Sequence, residues 1–125
     1  MRRATGAPAT GFIVVRAALS SAVPERNGAM VVFVNKLTLI GPAGDLESIY
    51  EAVSAFFREQ PGLIRFQLLR SRQDPDVYIN VAEWESVELF KRATSQEKFR
   101  TSMRVSAVSV GDPHLCEVVS GGGPA

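Results

Sequence analysis

The sequence predicts an α+β fold with the element order β-α-β-β-α-β. Four short runs rich in β-branched and aromatic residues supply the strands, and two stretches with apolar residues at helical offsets supply the helices. Clusters of Gly, Pro and Asp between these runs supply the turns. The first strand is Val31 to Ile40, stopped by Gly41-Pro42. Asp45 to Gln60 follows as a helix, because Leu46, Ile49, Tyr50, Val53, Phe56 and Phe57 make one apolar stripe. Asp45 and Glu47 fall in its first turn, where they favour the positive end of the helix dipole, and Pro61-Gly62 ends it.

The second strand runs from Leu63 to Arg70, with Ile64, Phe66 and Leu68 on one face. Asp74-Pro75-Asp76 has hairpin turn chemistry. In the third strand, Val77 to Trp84, Val77, Ile79 and Val81 face one way, and Tyr78, Asn80, Ala82 and Trp84 face the other. Ser86 opens a helical region reaching about Ala107, with a break near Thr94-Ser95. His114 to Val119 reads as the last short strand, and Gly121-Gly122-Gly123 as a flexible end.

This order is the split β-α-β of ferredoxin-like folds. Two helices on one face of four strands leave the other face open, yet every strand carries apolar residues on both parities. A homodimer that pairs two open sheets is the simplest way to bury them.

Within 125 residues there is room for one domain, expected over residues 30–120 with a tail at 121–125. Residues 1–29 carry a net charge of +3 and show no sustained period. They read as a disordered tail or an over-extended start, with Met30 directly before the first strand; an Arg-rich, acid-poor transit peptide is the competing reading. The apolar run Phe12 to Val15 is far short of the roughly 20 residues a membrane-spanning helix needs, and Arg16 interrupts it as a signal peptide. The rest of the chain has a net charge of −2 and offers no basic face for nucleic acid. One cysteine, Cys116, and one histidine, His114, exclude an internal disulfide and zinc-type clusters, and a reducing, cytoplasmic setting is expected. Cys116 reads as a buried small hydrophobe and His114 as an exposed strand-edge residue.

Several residues stand out against a purely structural reading. Asn35 shares an apolar strand face with Val31, Phe33, Leu37 and Leu39, so either a neighbouring strand satisfies its amide or it lines a cavity. Asn80 and Trp84, four apart on a strand, point the same way about 13 Å apart, with small Ala82 leaving a hollow between them. Apolar walls with a few convergent polar groups are the usual construction of a small-molecule site. Arg100 and Arg104, one helical turn apart, lie on the surface or hold an anionic substrate. Phosphate-binding and dinucleotide-binding glycine loops, a nucleophile elbow and paired carboxylates are all missing from the sequence.

Residues 30–120 resemble the antibiotic biosynthesis monooxygenase family, which implies a small dimeric α+β barrel. The resemblance rests on Val32-Phe33-Val34-Asn35, on Gln60-Pro61-Gly62-Leu63-Ile64-Arg65-Phe66, on Asn80-Val81-Ala82-Glu83-Trp84-Glu85-Ser86 and on Phe90. It implies a small cofactor-independent enzyme that oxidises a polyketide-like phenol or anthrone with dioxygen as co-substrate. In the quinone-forming branch an Asn and a Trp four residues apart line the pocket, which Asn80 and Trp84 match. A later helical Arg falls at Arg104, the branch's pocket Tyr is Phe90 here, and its pocket His falls at about Leu69. The resemblance thus makes Asn80, Trp84 and Arg104 catalytic, and Asn35, Phe90, Arg100 and Leu69 substrate-binding. The haem-degrading branch uses a strand-one Asn, this Trp and a histidine ligand; Ser102 stands where that histidine is expected, so haem is not. The alternatives are a haem-binding or haem-degrading member of the family and a non-catalytic dimer that binds a small ligand, since a fold does not fix a function.

Overall fold

The computed structural model describes residues 29–102 and 107–124. Strand β1 is Val31–Leu39, helix α1 Ala43–Arg58, strand β2 Leu63–Arg70 and strand β3 Val77–Trp84. Helices α2, Val87–Thr94, and α3, Glu97–Ser102, precede strand β4, Ser109–Glu117. The strands form one antiparallel sheet in the order β2-β3-β1-β4, the ferredoxin-like arrangement, with both crossovers carried by helices.

The inner sheet face follows the predicted parity. Val31, Phe33, Asn35 and Leu37 are buried on β1, and Tyr78, Asn80, Ala82 and Trp84 on β3. Leu46, Tyr50, Val53, Phe56 and Phe57 of α1 close over this face, joined by Phe90 and Phe99 from the second helical region. The core is unusually aromatic: Phe57 packs against Phe56, Phe66, Trp84 and Phe99 with ring centres 5.5–5.9 Å apart. Such pairs add to the burial energy through their ring quadrupoles.

Local chemistry sets the element ends. The Ser86 hydroxyl caps α2 by accepting from the Leu89 N–H at 3.2 Å. The expected break falls at Ser95-Gln96, where Gln96 Nε2 donates to Gln60 Oε1 at 2.8 Å and ties the break to the end of α1. At the β2–β3 hairpin the Asp74 carboxylate accepts from the Asp76 N–H, an Asx turn. Gly62 has φ 93°, and a Cβ there would lie 2.6 Å from Leu89 of α2.

Three expectations need correction. β4 begins at Ser109, five residues before the expected His114, and ends at Glu117 rather than Val119. Gly111-Asp112-Pro113 has turn composition, but β1 pairs those residues with Leu37, Lys36 and Asn35. β4 is an edge strand, where a proline's missing N–H is tolerated. Ile64 does not share a face with Phe66 and Leu68, because a register shift between Leu63 and Arg65 turns it outward. Cys116 is only half-buried, paired with Val32 on the outer sheet face.

That outer face carries Val32, Val34, Val77, Ile79 and Val81, all half-buried, with exposed Leu69 and Val110. His114 is exposed on the same face, 3.1 Å from Asp112.

Candidate active site

Asn80 and Trp84 come from β3, the second strand of the sheet, with β2 on one side and β1 on the other. This flanking leaves them 2% and 0% exposed. Trp84 stands edge-on to Phe57 and Phe90, at ring separations of 5.7 Å in both cases, and Phe90 packs on Phe33 at 5.3 Å. The predicted hollow over Ala82 does not open to solvent: Ala82 is fully buried, with Phe33 and Phe66 as its register neighbours on either side.

Three buried polar atoms make no hydrogen bond: Asn80 Oδ1 and Trp84 Nε1 on the inner face of β3, and the Tyr50 hydroxyl on α1. A buried polar group left unpaired costs about 1–3 kcal/mol, and native cores rarely tolerate several together. An indole N–H is a donor only, an amide oxygen an acceptor only, and a phenol hydroxyl both. Burial raises the Tyr50 pKa above its ordinary value, so the phenol stays neutral across the physiological range.

Asn35 stands directly opposite Asn80 across the β1–β3 pair. Its Oδ1 accepts from the Asp112 N–H at 2.9 Å, so its amide carbonyl holds the β4 edge, one of its two predicted roles. The oxygen also packs close to Gly111, where a Cβ would sit 3.2 Å away.

The other sequence-derived residues separate. Phe90 packs edge-on against Trp84. Leu69 pairs with Ile79 on the opposite sheet face and is 44% exposed, so β-strand parity keeps it away from Asn80 and Trp84. Arg100 lies on α3 with its side chain exposed, apart from the buried group, and Arg104 lies outside the described residues. Tyr50 was legible only as a member of the apolar stripe on α1; its hydroxyl, in an otherwise apolar row, is the signal that marks it.

A groove of about 560 Å³ opens between α1 and β2. Tyr50 lines it, whereas Asn80 and Trp84 do not. At the far end of the sheet the Tyr78 hydroxyl donates to Glu47, with Arg70 over the tyrosine ring at 5.1 Å, tying α1 to β3.

Residues 41–105 match the family model for antibiotic biosynthesis monooxygenases. The chain belongs to the antibiotic biosynthesis monooxygenase family. A deoxynogalonate monooxygenase from Streptomyces nogalater is 38% identical over 82 residues, which are 63% of this chain and 70% of that protein. SnoaB, a cofactor-independent oxygenase from the same organism, superposes with a TM-score of 0.71 at 33% identity, over 74% of this chain and 96% of that one. A conserved protein from Methanosarcina mazei shares the fold at 9% identity, with a TM-score of 0.60 over 72% of this chain and 93% of that one. In this family member the single histidine, His114, sits on the outer sheet face, away from Trp84. A haem ligand at this site would need a different donor. Among the described residues no group of His, Cys, Asp and Glu is spaced to hold a metal ion, and no helix is long and apolar enough to cross a membrane.

Proposed function

We propose that this protein is a cofactor-independent monooxygenase that converts a fused polycyclic phenol or anthrone to a quinone with dioxygen. One observation carries the reading: Asn80 Oδ1 and Trp84 Nε1 are buried without partners on one strand face, where Trp84 stands edge-on to Phe57 and Phe90. Their α-carbons are about 13 Å apart along the strand, a span suited to fused rings rather than to a single one. The similarity to a cofactor-independent oxygenase supports chemistry that draws its electrons from the substrate.

In this reading the Trp84 N–H donates to the substrate oxygen on which negative charge develops, and Asn80 Oδ1 accepts from a neighbouring hydroxyl. Donors aimed at a developing oxyanion in a dry site lower the barrier more than they would in water. Ionisation of the substrate releases a proton to solvent, and the carbanion–enolate passes one electron to dioxygen. The radical pair joins through a new carbon–oxygen bond to a substrate peroxide. As the remaining hydrogen on that carbon leaves as a proton, the oxygen–oxygen bond breaks, giving the quinone carbonyl and water. Phe57 and Phe90 hold the ring plane, and Arg104, at the position the family resemblance assigns, offsets the anion's charge. The protein supplies orientation and exclusion of water.

The partner of the outer sheet face is a second copy of the chain, in a cytoplasmic homodimer. Val34 and Val81 are register partners at its centre. Val81→Lys is expected to shift sedimentation from dimer to monomer at micromolar concentration; an unchanged sedimentation coefficient would rule out this interface.

The activity is tested with metal-free protein, anthrone and isotopically labelled dioxygen. The expected product is quinone carrying one labelled oxygen, formed faster than in the protein-free control. A parallel titration with haemin should give no saturable spectral shift. Oxidation that appears only after haemin is added would overturn the proposal.

A further inference from the structure

Two contacts fix how helix α1 lies along strand β3. At one end the Tyr78 hydroxyl donates to Glu47, and at the other the Phe57 ring stands edge-on to Trp84 at 5.7 Å. Helix and strand therefore run in the same sense, and Tyr50 falls between the two contacts. It lies three residues past Glu47, about 4.5 Å along the helix axis. Asn80 lies two residues past Tyr78, about 6.6 Å along the strand. The tyrosine thus sits at the level of Asn80.

The groove between α1 and β2 gives the side on which it sits. Tyr50 lines that groove together with Phe66 and Leu68, which are the register neighbours of Ala82 and Asn80 on β2. Tyr50 is therefore on the β2 flank of Asn80. It is 4% exposed, and its hydroxyl makes no hydrogen bond, as is true of Asn80 Oδ1 and Trp84 Nε1. A buried hydroxyl that bonds to nothing destabilises the free protein. Phenylalanine would fill the same space in an otherwise apolar row, so the tyrosine is explained by a ligand atom that its hydroxyl meets.

We propose that Tyr50 is a third catalytic residue of this centre, whose hydroxyl passes its proton to the oxygen that comes from dioxygen. The inference rests on the oxidation reading above and fills a role that reading leaves open: Trp84 serves the substrate oxyanion and Asn80 a substrate hydroxyl. When the carbanion has joined dioxygen, the new carbon–oxygen bond leaves the negative charge on the outer oxygen. The Tyr50 O–H donates to that oxygen and gives up its proton, leaving a tyrosinate and a neutral hydroperoxide. The tyrosinate then takes the remaining proton from the carbon. The electron pair of that carbon–hydrogen bond forms the carbonyl as the oxygen–oxygen bond breaks. Hydroxide leaves and becomes water with the proton that the substrate released on ionising, and the tyrosine is restored. Burial keeps the phenol protonated across the physiological range, so the donor is present at every turnover.

The test follows Tyr50→Phe in the full chain with anthrone under air, reading quinone by absorbance and hydrogen peroxide by a coupled peroxidase. The substitution should lower kcat by about 10²-fold and leave the affinity for the quinone product unchanged, because the hydroxyl meets the oxygen of dioxygen and not the substrate's. A peroxide anion that is not protonated in place falls back to substrate radical and superoxide, which escapes and disproportionates. Hydrogen peroxide released per quinone formed should therefore rise severalfold, which a merely structural tyrosine would not cause. Tm should rise, because the free protein loses a buried hydroxyl with no partner. Ser54→Ala, one turn along the same groove wall, should change neither rate nor peroxide yield. A Tyr50→Phe protein with wild-type kcat, a fall in kcat matched by an equal loss of quinone affinity, or the same peroxide release from Ser54→Ala would overturn the proposal. Wild-type protein no faster than the protein-free control would instead overturn the oxidation reading itself.

Discussion

Trp84→Phe is expected to slow quinone formation by about 10²-fold or more, and Asn80→Leu by a similar factor, the usual loss when a donor or acceptor at a developing oxyanion is removed. The two substitutions separate catalysis from folding because they move stability in opposite directions. Trp84 is fully buried between Phe57 and Phe90, and the smaller ring leaves a void. That void costs about 1–3 kcal/mol. Asn80→Leu keeps the branching of the side chain and removes an amide whose oxygen has no partner. Its effect on stability is expected to be neutral or favourable by about 1–2 kcal/mol. Thermal melts beside steady-state oxidation rates check both. A more stable but inactive Asn80→Leu protein would mean that the asparagine is held in the core for the ligand's sake. An Asn80→Leu protein that melts far lower would assign the amide a structural role.

Gly62→Ala is expected to be the most damaging single-methyl change in the described fold. The backbone there has φ 93°, and the added Cβ would lie 2.6 Å from Leu89 Cβ, too near the helix for a rotamer change to relieve. Left-handed backbone strain and overpacking together cost about 2–4 kcal/mol, which lowers Tm by roughly 10 °C in a domain of this size. The effect reaches the site, because the Gly62 carbonyl accepts from the Glu85 N–H at 2.8 Å, and Leu89 precedes Phe90, which packs on Trp84. Activity of Gly62→Ala should therefore fall even well below its Tm. A melt within 2 °C of wild type, on the order of the scatter of such measurements, would contradict the packing described here.

Much of this architecture is legible in the sequence because side-chain periods are rigid. Asn80, Ala82 and Trp84 must share a face in any strand, and that face proves to be the inner one. The stripe on α1 likewise proves to be its buried side. What escapes is what depends on partners distant in sequence. Gly111-Asp112-Pro113 becomes strand only because β1 lies alongside, and the bulge at Ile64 reverses the parity that simple alternation assigns. Parity also puts Leu69 on the outer face, which spacing within a family resemblance does not reveal. The roles of Asn35 and Tyr50 turn on whether one hydrogen bond is made: Asn35 finds the Asp112 N–H, while the Tyr50 hydroxyl finds nothing. A one-dimensional pattern marks each as a polar group in an apolar row but contains no partner for either, because the partner comes from a distant segment.

The most direct test uses the chain's one tryptophan. In a nitrogen-15-labelled sample its indole N–H gives a single proton–nitrogen resonance, which reports whether Trp84 Nε1 acquires an acceptor. Titration with the quinone product should move that resonance downfield and saturably, and Asn80→Leu should weaken the titration. Turnover of anthrone with the indole resonance unmoved by product would contradict a site built on Trp84.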